Sequence, residues 1–229
     1  WIDYKDNKNE IIISATSCAF IDFPYQDNQK TLEKLIEYKD NGKIDSILTS
    51  NVPVSEIEAR NGPLRRLVEL DCSCVILVDS DEFIVEKEIS NLFNFLEEQK
   101  NEPNFWFRVN YKNVLFDGSV YVDNFDPARL FFVKKNNYKI GYFFEDNYIS
   151  YFLNKTEINC KVLPHTHISK QLIFPNHFSW LHGERSVKKI KYQLARGWFP
   201  NYKIINEKTG EIGFDHNWYK LNEKEIPSL

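Results

Sequence analysis

Val75-Ile76-Leu77-Val78-Asp79-Ser80-Asp81-Glu82-Phe83 joins an apolar run to a knot of carboxylates. The run from Val75 to Val78 is rich in β-branched side chains and reads as a buried strand. It breaks directly into Asp79, Asp81 and Glu82, spaced around the small Ser80. In an open α/β sheet, ligands bind outside the carboxyl ends of the strands, so these acids arrive where a substrate would sit. An Asp-x-Asp pair offers hard oxygens to Mg2+ or Mn2+, and such an ion can bridge a diphosphate. The same letters also describe a solvated turn in which Ser80 or Asp81 caps the next helix.

The neighbourhood favours the first reading. Upstream lies Glu58-Ala59-Arg60-Asn61-Gly62-Pro63-Leu64-Arg65-Arg66-Leu67-Val68-Glu69-Leu70. Gly62-Pro63 punctuates the chain, Pro63 suits a first helical position, and Leu64, Leu67, Val68 and Leu70 give the helix one apolar side. Together, residues 58–83 resemble the inverting family 2 glycosyltransferases and their relatives of GT-A fold, in which an Ala-Arg-Asn-x-Gly/Pro-Leu-like helix start precedes a strand ending in Asp-x-Asp or Asp-x-Asp-Glu. The resemblance implies an α/β protein: a single GT-A-like domain over residues 1–229, with a mostly parallel central sheet of Rossmann-like βαβαβ order. Residues 1–100 would form the nucleotide-sugar half, and residues 101–229 a mixed, β-rich acceptor half with a C-terminal helix.

The rest of the chain agrees in layout. Glu10 to Ser17 reads as the first strand, and Thr31 to Asp40 as a helix with Leu32, Leu35 and Ile36 at helical spacing. Asn41-Gly42 then stops it. Ile44 to Thr49 is a second strand, the Pro63 helix follows, and Cys74 to Val78 is the third strand. Ile89 to Gln99 is another helix. Strands are expected at Phe105–Tyr111, Val120–Val122, Leu130–Val133, Tyr138–Phe144 and Ile158–Leu163, with a final helix over Glu184–Arg196.

Composition sets outer bounds. Apolar residues make up 42% of the chain, too many for disorder, and 229 residues can bury one substantial core. A formal net charge of −4 advertises no basic field for nucleic acid, so a nucleic-acid acceptor is disfavoured. Cys18, Cys72, Cys74 and Cys160 have no zinc-ribbon spacing and suit a reducing compartment. No apolar run is long enough to cross a bilayer, and Trp1-Ile2-Asp3-Tyr4-Lys5 is no signal peptide. The expected location is cytoplasmic, or peripheral to a membrane. With no methionine even at position 1, the chain reads as trimmed, or as one domain of a longer protein. Its oligomeric state is left open. Asn154-Lys155-Thr156 matches a glycosylation acceptor but reads as an ordinary loop.

The resemblance also distributes roles. It implies a divalent metal, Mn2+ or Mg2+, held by Asp81 with Asp79 sharing it or reaching the donor ribose. A late histidine would be the third ligand: His177 in Pro175-Asn176-His177-Phe178-Ser179-Trp180-Leu181-His182-Gly183, with His182 in reserve. An oxygen and imidazole set is more tolerant of Mn2+. Each of these histidines could equally be a packed, hydrogen-bonded residue. The acids of Tyr142-Phe143-Phe144-Glu145-Asp146-Asn147 lie where the family carries its base, so Glu145 or, better, Asp146 would take the acceptor proton. A solvated pair is the competing explanation. Arg60 and Asn61 would line the nucleotide side, and Arg185 and Lys188 of the last helix would meet the departing diphosphate. Arg129 would orient the acceptor or simply pair with a neighbouring acid.

Two stretches depart from the family pattern. Leu48-Thr49-Ser50-Asn51-Val52-Pro53 replaces its Asp-rich turn, and Ser14-Ala15-Thr16-Ser17-Cys18 replaces its first-strand end. The nucleotide base therefore stays open, with a UDP-sugar the first choice. The expected activity is metal-dependent transfer of a sugar from a nucleotide-diphosphate donor to a glycan or other hydroxyl acceptor, with inversion. The alternatives are a metal-dependent nucleotidyltransferase or phosphohydrolase, and a non-catalytic carbohydrate-binding relative.

Overall fold

A computed structural model describes residues 12–14, 29–49, 55–115, 118, 120–122, 126–143, 148–180, 183–195, 202–209, 211–214 and 219–220. The first stretch of chain alternates: β1 (Ile12–Ser14), α1 (Gln29–Asp40), β2 (Ser46–Leu48), α2 (Glu56–Glu69), β3 (Cys74–Ile76), β4 (Glu82–Phe83) and α3 (Glu86–Gln99). Strands then follow one another: β5 (Trp106–Arg108), β6 (Lys112–Leu115), β7 (Val120–Val122), β8 (Ala128–Phe132), β9 (Lys134–Lys135), β10 (Tyr138–Phe143), β11 (Ile149–Leu153), β12 (Thr156–Asn159), β13 (His165–His167) and β14 (Asn176–Trp180). The described chain ends with α4 (Gly183–Ala195), β15 (Tyr202–Asn206), β16 (Glu211–Phe214) and β17 (Tyr219–Lys220).

Local chemistry fixes the helix ends. α1 stops at Gly42, whose φ of 68° suits a residue without a Cβ. The Gly42 N–H donates to the Lys39 carbonyl (2.9 Å) and the Lys43 N–H to that of Tyr38 (2.8 Å), a Schellman closure. α2 starts earlier than Pro63 suggests. Ser55 and Glu58 form a capping box, the Glu58 N–H donating to Ser55 Oγ (3.1 Å) and the Ser55 N–H to Glu58 Oε2 (3.0 Å). Those two bonds nucleate the helix upstream and leave Pro63 inside it.

The chain divides into two compact units, each assembled from several stretches. The first comprises residues 1–76, 103–106 and 130–165. It holds the parallel pair β1–β2 and the antiparallel sheet β12-β11-β10-β9. Two hairpin corners of that sheet are Asn136-Asn137 (φ 48° and 68°) and Asn154-Lys155 (φ 49° and 71°), the paired positive φ of tight two-residue turns. The glycosylation-like Asn154 is such a turn residue. β3 pairs antiparallel with β8, Val75 opposite Phe131. Trp106 is fully buried, stacks at 6.5 Å on Phe131 and donates from Nε1 to the Cys160 carbonyl (2.7 Å). At Gly141, a Cβ would lie 2.4 Å from Phe152 Cε2 and 2.5 Å from Ser150 Oγ.

The second unit comprises residues 77–102, 107–129 and 166–229. Its main sheet runs β17-β7-β6-β14-β4, with β6 antiparallel to β7, β14 parallel to β6 and antiparallel to β4. α3 turns Ile89, Leu92 and Leu96 inward, and Phe95 meets Phe107 edge-on at 5.1 Å. α4 buries Val187 and Ile190 and lies beside β14 and the β15–β16 hairpin. Among the described residues no helix is long and apolar enough to cross a membrane.

These pairings overturn the expected mostly parallel, Rossmann-like sheet. The protein is a mixed α/β, β-rich chain of small antiparallel and mixed sheets, with four α-helices among the described residues. β1 and β2 are parallel, as expected. β3, the strand leading into the acid turn, takes an antiparallel partner from far downstream. The physical reason is that a short apolar run reads alike whichever direction its partner runs. Only the ladder geometry separates the two cases.

Candidate functional site

The acid turn lies in the second unit, where two strand pairings assemble its surroundings. β14 sets His177 opposite Glu82 of β4 on one side and opposite Asn113 of β6 on the other. The Phe178 N–H donates to the Asp81 carbonyl (2.7 Å), which ties the turn to β14. On β8, Arg129 accepts at its carbonyl from the Leu77 N–H (2.8 Å), so its side chain starts beside the strand that feeds the turn.

Arg129 organises the acids. Its side chain is 5% exposed. Nε donates to the Tyr111 hydroxyl (2.7 Å), and Nη2 donates to Asp79 Oδ2 (2.9 Å) and to Glu82 Oε1. Glu82, 4% exposed, spends its second oxygen on the Asp79 N–H (3.0 Å). Arg129 Nη1 is buried with no hydrogen-bond partner among the described residues. Burial pushes the Glu82 carboxyl above its ordinary range, with Arg129 opposing. Burial likewise raises Tyr111. For Arg129 burial disfavours the charge, but Tyr111, Glu82 and Asp79 more than offset it, and the guanidinium stays protonated.

Asp81 has a different neighbour. Its Oδ2 lies 3.9 Å from His177 Nε2, both side chains mostly buried. The Asn113 Nδ2 donates to the Tyr121 carbonyl (3.5 Å), which turns its Oδ1 toward His177 Nδ1 at 2.7 Å. An amide oxygen only accepts, so this pair of bonds assigns the hydrogen to Nδ1 and a lone pair to Nε2. Burial, then Lys189 of α4, push the His177 pKa down to about 4, with Asp81 opposing. At neutral pH a lone-pair nitrogen therefore faces a carboxylate oxygen.

That donor set fits a divalent cation. Bonds of about 2.0–2.2 Å from imidazole nitrogen and carboxylate oxygen would span a gap of this size. The hydrogen bond to Asn113 is the outer partner that metal-binding histidines carry. Among the described residues no group of three or more His, Cys, Asp and Glu side chains gathers around one point.

Asn61 is buried in α2 of the first unit, where its Oδ1 accepts from the Phe143 N–H (2.6 Å). That bond ties helix to strand. Arg60, half-buried, precedes it in the same helix. Lys188 is exposed on α4, and its neighbour Lys189 is the charge that bears on His177. Arg185 lies in α4 with its side chain outside the described residues, and Glu145, Asp146 and His182 are outside them altogether. Tyr111 and Asn113 went unnoticed in the sequence. Arg129 carried a visible signal: a charge within the otherwise apolar Ala128–Phe132, which a buried strand tolerates only with partners. No protein-family model, curated protein or solved structure matches the chain.

Proposed function

We propose that the chain is a metal-dependent glycosyltransferase, moving a sugar from a nucleotide-diphosphate donor to a hydroxyl of a glycan or similar acceptor. The observation that carries this reading is the Asp81–His177 pair, a carboxylate oxygen facing an imidazole lone pair across 3.9 Å at the end of an Asp-x-Asp turn. The likeness of residues 58–83 to the inverting family 2 enzymes supplies the donor class. Asp81 and His177 would hold Mn2+ or Mg2+, and a bound ion supplies positive charge to a diphosphate leaving group.

The chain's own residues then divide the remaining work. Asn113 keeps His177 in the tautomer that offers Nε2. Lys189 adds positive charge beside that imidazole, which favours an anionic donor. A carboxylate base, for which Glu145 and Asp146 are the candidates, would take the proton of the attacking hydroxyl, and a single displacement inverts the anomeric centre.

The test is nucleotide release from a panel of sugar nucleotides with Mn2+ and mixed acceptors. Sugar-dependent release of a nucleoside diphosphate is expected. Asp81→Asn, folded by circular dichroism, should lose about 100-fold or more of it, as befits a metal contribution of several kcal/mol. Pyrophosphate release would indicate nucleotidyl transfer instead, and undiminished turnover in Asp81→Asn would remove the metal role.

A further inference from the structure

We infer that Lys112 and Asn176 become joined by a side-chain amide bond that the protein makes itself, with Glu88 as the proton carrier. This cross-link does not depend on the metal-dependent reading above.

Strand register in the second unit brings the two groups together. β14 sets Asn176 opposite Lys112 of β6, and His177 opposite Asn113. Successive side chains of a strand point to opposite faces, so Lys112 and Asn176 share the face of the sheet away from Asn113 and His177. Neighbouring strands lie about 4.8 Å apart, a gap that a lysine side chain can cross. Both residues are withdrawn from water, Lys112 at 2% exposure and Asn176 at 5%, and lysines are almost never buried this far unless paired. The Lys112 Nζ lies 5.3 Å from the centre of the Phe174 ring, which packs against the buried Val120 and Val122. Such surroundings disfavour a charge. Burial lowers the Lys112 pKa, with Glu88 opposing, and a desolvated lysine is the more nucleophilic one.

Glu88, in the first turn of α3, completes the set. Its Oε1 accepts from the N–H of Phe174 (3.2 Å), close before Asn176 in β14, and its Oε2 is buried as well.

The reaction balances without a co-reactant. The uncharged Lys112 Nζ attacks Asn176 Cγ, and Glu88 takes a proton from the attacking nitrogen. The Cγ–Nδ2 bond then breaks, Glu88 returns the proton to Nδ2, and ammonia leaves. Amides resist amines in water, but holding the pair in place can be worth an effective concentration of about 10⁵ M or more. The product ties β6 to β14 and so locks the register that aligns Asn113 with His177 on the other face.

The experiment is intact-mass spectrometry of the purified full chain, followed by peptide mapping. The chain should weigh one ammonia less than its sequence, and digestion should give a branched peptide joining Lys112 to Asn176. Glu88→Gln should slow the mass loss by about 100-fold or more, and Lys112→Arg should keep the full mass. An unsubstituted chain at full mass overturns the inference, whether or not the variants fold. A missing ammonia that maps to a cyclic imide at Asn41-Gly42 or Asn61-Gly62 overturns it as well. Cross-linking as fast in Glu88→Gln as in the parent overturns the role of Glu88. None of these results touches the transferase reading.

Discussion

Two buried tyrosines, one in each unit, separate scaffold from site. The Tyr151 hydroxyl in the first unit donates to the Phe132 carbonyl (2.8 Å) and lies 3.3 Å from that of Phe105. Its network ends in neutral backbone oxygens, which is what a core needs to bury a hydroxyl. The Tyr111 hydroxyl in the second unit accepts from Arg129, whose other bonds run to Glu82 and Asp79. That network ends in charges. A buried ion pair repays its desolvation poorly compared with apolar packing, so the second arrangement is a weak device for stability and a strong one for holding the acid turn in one geometry.

The sharpest way to break this comparison is Arg129→Ala. It strands Glu82 in the interior and should cost about 3–5 kcal/mol in urea denaturation, whereas Glu82→Gln/Arg129→Met should recover most of that. A loss no larger than a surface substitution would mean that the charges are not interdependent.

The next test uses acid. The His177 pKa lies near 4 against 6.5 for a free imidazole, through burial first and Lys189 second. The unfolded chain therefore binds this proton more readily, so the contribution of His177 to stability is complete above about pH 6.5 and is lost as pH falls toward 4. The upper bound is about 3 kcal/mol. Glu82, raised by burial, works in the opposite sense, so the effect should be read as the difference between unsubstituted and His177→Gln chains in chelator. Parallel pH profiles would show that the imidazole is not held neutral.

The mildest change contrasts the tyrosines directly. Tyr151→Phe and Tyr111→Phe should each cost about 1–2 kcal/mol. Only the second should alter Mn(II) affinity, because only it loosens Arg129. Matching metal titrations would erase the distinction.

Much of the local structure was readable from the chain. The Asn41-Gly42 stop, the α3 stripe and the β7 strand follow from helical period, alternation and the preference of glycine for positive φ. The acid turn and His177 stood out in the letters, and β4–β14 pairing brings Asp81 and His177 together. Sheet direction was not readable, because the antiparallel partner of β3 arrives from β8 and nothing in Cys74–Ile76 marks its orientation. The part played by Asn61 was also hidden. Nothing in the letters of an Arg-Asn helix start shows that the amide oxygen accepts from the N–H of Phe143. Arg129 shows the reverse case, where the letter was conspicuous and only the geometry of its fork revealed which acids it serves.

Gly141 leaves a different kind of mark. With Phe152 and Ser150 so near where a Cβ would stand, even alanine would force those side chains to move. Descendants of this sheet should thus be barred from any larger residue there, whatever drift befalls their surfaces. A bare α-carbon facing a small hydroxyl and an aromatic ring across one rung is a signature by which remote kin could be recognised from coordinates when their letters no longer align.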